Sequence, residues 1–208
     1  MTRLFHGEDA TYYTQRNNVE APGTACEWTA LINVGAALGW DFPAGHGQPE
    51  DRFIRFVRSD QICRDRYKQL DPAGKYPIGE WLEVLALGFS RWMKIPELAH
   101  FYEETPAQVI LDHLSSGGGC VVTGEFPLAS GKTLHHGVGL LGADLAGDAV
   151  TENIVNWWIR DSWGDYRTGY ENHDGRRIPM PDADFQRLLK KTGRDSKWCI
   201  FVEGKKED

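Results

Sequence analysis

Four residues, in the chain order Gln15, Cys26, His136 and Asp161, could together attack and cleave a carbonyl compound. Cys26 is the candidate nucleophile, because it lies where a helix is predicted to begin and the positive end of a helix lowers the pKa of a thiol. Taken alone, Cys26 would more often be a small buried hydrophobic residue, as most free cysteines are. If Cys26 is the nucleophile, a base that accepts the thiol proton must come from another part of the fold.

Two neighbouring histidines, His135 and His136, are the candidates for that base. They open a β-rich run that ends at Gly142, and because side chains alternate across a strand, only one of them can face the cleft. Asp161 follows another β-rich run, just before a turn, where a carboxylate could hold the imidazole in the required tautomer. Its alternative role is that of an ordinary turn-forming aspartate.

The elements that must position these residues are indicated by hydrophobic periodicity. Residues up to about Gly23 are predicted to be extended, residues 26–38 to form a helix capped by Thr24, and residues 49–116 to be largely helical. Short β-rich runs, a last helix and a closing strand are then predicted over residues 120–126, 133–141, 154–161, 182–191 and 197–203. The predicted fold class is α+β: a helical N-terminal half packed on a C-terminal antiparallel sheet.

Four segments of the sequence resemble the papain-like cysteine peptidases, particularly their bacteriocin-leader-peptidase-like (C39-like) branch. Residues 13–18 and 26–34 are similar to the oxyanion-glutamine segment and the Cys-x-x-Thr nucleophile helix of that branch. Residues 136–142 resemble its histidine strand, in which an apolar run ending in glycine follows the histidine. Residues 159–166 resemble its Asp-Pro-x-Gly turn, with Ser162 in place of the proline.

The resemblance implies a papain-like fold and a role for each candidate. By its register His136, rather than His135, is the base, and Asp161 orients it. Gln15 would donate its side-chain amide to the oxyanion together with the backbone N–H of Cys26. The reaction implied is hydrolysis of an amide bond through a thioester acyl-enzyme, without a cofactor.

Several substrates and functions remain open at this level. The resemblance favours a phage-type lysin that cleaves peptidoglycan peptides, and an intracellular protein-processing peptidase is an alternative. The same triad could transfer the acyl group to an amine, as in papain-like acyltransferases and transglutaminases. A non-catalytic papain-like binding module is the third class, but the presence of all three triad residues argues against it.

Composition narrows the classes of partner. The 208 residues suffice for one domain, and we expect residues 1–208 to form a single one. The net charge of −7 gives little basis for binding nucleic acid through its phosphates. The first residues have no signal-peptide pattern, and the sequence has no apolar run of membrane-spanning length. We therefore expect a protein made in the cytoplasm and not inserted into a membrane. It would reach the cell wall only if it were released as a lysin. The histidines and cysteines show no metal-binding spacing.

The remaining cysteines are weaker candidates for a nucleophile. Cys120 and Cys199 fall in predicted strands and are expected to be buried. Cys63 lies on a predicted helix among Arg58, Arg64 and Arg66, which could lower the pKa of its thiol. It lacks a matching histidine strand and oxyanion residue, and is therefore not favoured. Tryptophans also concentrate around residues 157–163, where they could line a substrate groove or fill the core.

Overall fold

The computed structural model describes residues 2–147, 153–189 and 198–206. Over these residues the helices are α1 (Cys26–Ala37), α2 (Pro49–Ser59), α3 (Gln61–Leu70), α4 (Leu82–Met93), α5 (Ala107–Ser115) and α6 (Asp182–Leu188). The strands are β1 (Thr2–Phe5), β2 (Ala99–Tyr102), β3 (Gly119–Pro127), β4 (Thr133–Ala146), β5 (Asn153–Arg160), β6 (Ile178–Pro181) and β7 (Cys199–Val202). In these same ranges, the chain contains no helix with the length and apolar character needed to cross a bilayer.

The strands form one antiparallel sheet in the order β2-β7-β3-β4-β5-β6, and β1 also pairs with β4. Strand β4 is long enough for β3 to pair with its first part while β1 pairs with its second part. On its other side β5 pairs only from Gly139 onward. The beginning of β4, which carries His136, therefore has one side that β5 does not cover.

The predicted α+β class is confirmed, with corrections to its details. Thr24 does not cap α1, because Ala25 occupies that position and offers no side-chain hydrogen bond. Strands β1, β2 and β6 were not predicted. Strands β1 and β2 each depend on a partner that is distant in sequence. Strand β4 continues beyond the predicted end at residue 141. Helix α6 ends before the predicted end at residue 191, and residues 190–191, like the predicted start of the last strand at residue 197, lie outside the described residues.

Two hydrophobic clusters cover the two faces of the sheet. Helices α1, α2 and α4 contribute to the first cluster, which includes Val121 of β3 and Leu141 of β4. Helices α5 and α6 contribute to the second, which includes Leu140 and Ala143 of β4. A register shift between Leu140 and Gly142 places Leu140 and Ala143 on the same face despite their odd spacing. Helices therefore lie on both faces of the sheet, and α1 packs against β4 at Gly137 and Gly139.

The N-terminal segment is held between α1 and the end of β5. Asn33 of α1 accepts a hydrogen bond from the backbone N–H of Tyr13 at 2.8 Å and donates one to its carbonyl at 2.8 Å. The buried guanidinium of Arg160 donates to the carbonyl oxygens of Gly7, Ala10 and Thr11. These bonds satisfy an irregular backbone that lacks a sheet partner, and they fix the path of the chain towards Gln15.

Glu50 is a buried carboxyl in the first turn of α2, and neither of its side-chain oxygens has a hydrogen-bond partner among the described residues. Burial raises the pKa of Glu50 from 4.5 to about 7, so the folded protein retains a proton that the unfolded chain loses near 4.5. The contribution of this group to stability is therefore full below pH 4.5 and is lost as pH rises to about 7.

We expect the stability of the Glu50→Gln variant not to show this fall as pH rises. Urea unfolding of both proteins at several pH values between 5 and 8 should show the wild type losing about 2–3 kcal/mol relative to the variant over that range. Both proteins contain the same other titratable groups, so the difference between their stabilities isolates the effect of residue 50. A stability difference between the two proteins that does not change with pH would contradict the assignment.

Candidate active site

Cys26 is the first residue of α1 and is 8% exposed. The start of this helix contacts β4 at Gly137, where a Cβ atom would lie 2.9 Å from Cγ of Glu27. Only glycine permits this approach, because any side chain at residue 137 would push the helix away. The backbone N–H of Gly137 is close enough to Cys26 to favour its thiolate form. The predicted nucleophile thus lies next to the residue that follows the predicted base.

His136 and Asp161 are joined directly: Nε2 of His136 lies 2.6 Å from Oδ1 of Asp161, and both side chains are buried. Nδ1 of His136 has no hydrogen-bond partner in the described part of the chain, whereas the neighbouring His135 is exposed. Burial opposes protonation of His136, but the nearby carboxylate of Asp161, helped by Glu27, leaves the pKa of the imidazole raised. The carboxylate thus favours the imidazolium and leaves the other ring nitrogen available.

Contacts with neighbouring segments fix Asp161 in place. Its Oδ1 atom also accepts a hydrogen bond from the backbone N–H of Trp163 at 2.9 Å. Its backbone carbonyl accepts from the Tyr12 hydroxyl at 2.6 Å, and its backbone N–H donates to the Gly175 carbonyl at 2.9 Å. This carboxylate is therefore anchored through side chain and backbone, as an orienting group must be.

Gln15 lies in a short 3₁₀ turn, Gln15–Asn17, and its side chain is buried. Its Oε1 atom accepts a hydrogen bond from the hydroxyl of Ser162 at 2.6 Å, and its backbone N–H donates to the Ser162 carbonyl at 3.2 Å. None of the hydrogen bonds found among the described residues uses its Nε2 amide. Ser162 therefore joins the Asp161 turn to Gln15 and orients the Gln15 amide.

We expect Ser162→Ala to release the Gln15 side chain. The loss of a buried hydrogen bond should reduce the free energy of unfolding by about 1–2 kcal/mol. If Gln15 acts on the oxyanion, kcat/KM for amide hydrolysis should fall about tenfold, because a loosely held donor stabilises the developing charge less well. Adding Gln15→Ala to Ser162→Ala should then cost less than it does in the wild type, whereas fully additive effects would show that the serine does not act through Gln15.

The thiol of Cys26 donates a hydrogen bond to Oε2 of Glu27 at 2.9 Å, rather than to His136. Burial and the Glu27 carboxylate raise the pKa of Cys26 well above its ordinary value. The expectation that the helix start would lower this pKa is therefore wrong for the structure described, in which desolvation and a neighbouring negative charge have the larger effect.

Two site residues were missed by the sequence analysis. Glu27 carried a visible signal, an acidic residue directly after the candidate nucleophile, and its buried side chain contacts the thiol. Tyr170 carried none, because it lies in an irregular segment with a positive φ of 71°. Its ring packs edge-on against His136 at 5.9 Å, and burial followed by the nearby charge of Asp161 raises the pKa of its hydroxyl. Tyr170 thus packs directly against the imidazole of His136.

The arginine-rich setting does not activate Cys63. Its thiol is buried in α3, and desolvation together with the carboxylate of Asp60 raises the pKa of Cys63 to about 12. Arg66 is instead paired with Glu83. The suggestion that neighbouring arginines lower this pKa is therefore wrong.

The other cysteines and the tryptophans lie mainly in the core. Cys120 and Cys199 are buried in strands, as predicted. Trp157 is buried and stacks on Phe185 at 4.3 Å, so it fills the core rather than a groove. Trp163, next to the Asp161 turn, is partly exposed and lies under the guanidinium of Arg16 at 4.5 Å.

Comparison with known proteins identifies the fold. No protein-family model matches the sequence, and no curated protein matches it. Among solved structures, a protein from Bacillus anthracis that has been provisionally assigned as a C39-like peptidase superposes with a TM-score of 0.58 at 12% sequence identity. The match covers 100% of both chains. At this identity the similarity shows a shared C39-like, papain-like fold and leaves the chemistry to be argued from the residues.

Proposed function

We propose that the protein is a cysteine peptidase or amidase in which Cys26 is the nucleophile, His136 the base and Asp161 the residue that orients the base. The observation that carries this proposal is the buried 2.6 Å contact between His136 and Asp161, which leaves Nδ1 of the imidazole unpartnered within the described residues. The contact lies beside the start of the helix that carries Cys26. A buried nucleophile–base–carboxylate set at the junction of helix and strand is the arrangement that acyl transfer requires.

In the proposed reaction the thiol proton of Cys26 passes to Nδ1 of His136. The thiolate attacks the substrate carbonyl, and the new C–S bond places negative charge on the carbonyl oxygen. The tetrahedral intermediate then expels the amine, which takes the proton from the imidazolium, and a thioester remains. Water, activated by the neutral imidazole, attacks the thioester and releases the carboxylic acid and the free thiol.

Asp161 stabilises the imidazolium that forms in both halves of the reaction, through the hydrogen bond from Nε2 of His136. The oxyanion would be stabilised by the backbone N–H of Cys26 and by the Nε2 amide of Gln15. The bond from Ser162 to Oε1 of Gln15 supports this role, because it fixes which end of the amide can donate. A preorganised donor of this type contributes about 3 kcal/mol to the transition state.

For the substrate we propose peptide bonds, and more specifically the stem peptides of peptidoglycan. The fold supports the proposal that the substrate is a peptide bond. The resemblance of the turn at residues 161–166 to that of phage lysins supports the proposal that the substrate is peptidoglycan. The acidic net charge of −7 is compatible with a neutral or cationic peptide.

The test is to incubate the protein with purified peptidoglycan sacculi and, separately, with a denatured protein substrate, while measuring newly formed amino groups. The proposal predicts release from at least one of them and none from the Cys26→Ala variant. Release from sacculi alone would support the lysin role, and release from the protein alone would favour a protein-processing peptidase. Equal release by wild type and variant would overturn the assignment of Cys26.

A further inference from the structure

Glu27 places a second carboxylate at the nucleophile. Its side chain is 6% exposed and lies between the start of α1 and Gly137 of β4. Its Oε2 atom accepts the hydrogen bond of the Cys26 thiol at 2.9 Å. The mechanism proposed above uses Asp161 as its carboxylate and assigns no function to this one.

The thiol can donate its single proton to only one acceptor at a time. In the structure that acceptor is Glu27, while Nδ1 of His136 makes no hydrogen bond among the described residues. A thiol that donates to a carboxylate retains its proton, since a thiolate at the same position would face a negative charge across 2.9 Å. The structure therefore holds the nucleophile in its unreactive form.

We infer that Glu27 is a positioning residue that restrains Cys26 in the protonated, resting state and keeps its proton away from His136. This inference rests on the proposed function, because it assigns a regulatory role within the same site. Activation breaks the S–H bond, and its proton moves to Nδ1 of His136. The resulting thiolate and imidazolium then form a pair beside the Glu27 carboxylate. A resting thiol of this kind is protected from alkylation and oxidation until substrate is bound.

The ionisable groups of the candidate site come from four elements. They are Glu27 itself, His136 of β4, Asp161 after β5, and Tyr170 after the 3₁₀ turn Tyr166–Thr168. Asp161 acts on the far ring nitrogen of His136, and the tyrosine hydroxyl is held neutral by burial. Glu27 is therefore the group whose charge acts directly on the thiol. Its charge also raises the pKa of His136, but its hydrogen bond is to the sulfur of Cys26.

The test is the pH dependence of Cys26 alkylation by iodoacetamide, with the site located by peptide mass spectrometry. Glu27→Gln has nearly the same shape and keeps an acceptor, but it removes the charge. We expect its inflection to move to lower pH, and its labelling at pH 7 to be about tenfold or more faster than in the wild type. Glu27→Met removes both charge and acceptor and should change labelling in the same direction. It serves as the second variant should the glutamine variant fold poorly, and circular dichroism checks both.

Two controls separate the local effect from other causes. Glu103→Gln removes an exposed charge next to the edge strand β2 and should leave the profile of Cys26 unchanged. His136→Ala, added to Glu27→Gln, should reduce the gain in labelling rate, because the thiolate then has no imidazolium partner. Labelling of Glu27→Gln that is unchanged or slower would overturn the restraint, and the proposed function would stand if His136→Ala still slowed Cys26. If His136→Ala had no effect in either background, the catalytic pair itself would be refuted.

Discussion

Replacing Cys26 with serine should lower the rate of amide hydrolysis on the order of 10⁴-fold or more, because the chemistry of every step passes through its sulfur. Serine has nearly the same size, so the start of α1 and the contact with Gly137 should remain intact. The measurement is kcat/KM on a peptide substrate, with the free energy of unfolding measured in parallel.

Cys63→Ala is the matched control for this prediction. Cys63 is also a buried cysteine on a helix with a carboxylate nearby, that of Asp60, but the proposed mechanism does not use it. We expect this variant to lose stability through the cavity it creates while kcat/KM changes little. An equal loss of activity in both variants would show that structure rather than chemistry is being lost.

Two substitutions of Asp161 should show whether this residue acts by orienting His136 or through its negative charge. Asp161→Ala removes the acceptor of both His136 and the backbone N–H of Trp163, and we expect kcat/KM to fall by about 10²–10⁴-fold. Asp161→Asn keeps an oxygen that can accept both hydrogen bonds, and papain-like peptidases can use asparagine in this role. We therefore expect the asparagine variant to retain activity within about tenfold of wild type.

The measurement is the pH profile of kcat/KM for these two variants and the wild type. Loss of the carboxylate lowers the pKa of His136 in both variants, so the limb that reports the imidazolium should move to lower pH. Equal, severe losses in the alanine and asparagine variants would contradict an orienting role. An unchanged activity in both would remove Asp161 from the site.

The local elements of this fold could be predicted from sequence because periodicity reports burial directly. Helix α1 and strand β5 lie close to where their apolar patterns place them. The order of the strands could not be predicted in the same way. Strand β1 joins β4 and strand β2 joins β7 through partners about 100 or more residues away, and short strands carry no signal of such pairing.

In the candidate site, too, some features could be predicted from the sequence and others depend on contacts between distant segments. Residue type and position on strands indicated Asp161 and the pair His135 and His136, and the register of the family resemblance then selected His136. The structure brings His136 and Asp161 into contact. The contact between Ser162 and Gln15 depends on the path of an irregular N-terminal segment, which no periodicity describes. Glu27 was visible beside the nucleophile, but its effect depends on how deeply the helix start is buried. Desolvation of that kind follows from packing and could not be anticipated from the helix alone.

The central claim, that Cys26 forms an acyl-enzyme with the help of His136, can be tested by trapping the intermediate. The protein would be mixed with a p-nitrophenyl ester of a short acyl-peptide, quenched in acid, and analysed by intact mass and peptide mapping. We predict one acyl group per chain on Cys26 in the wild type, with strongly reduced formation in His136→Ala. Acylation of another residue, or formation at Cys26 that is unaffected by loss of the histidine, would contradict the claim.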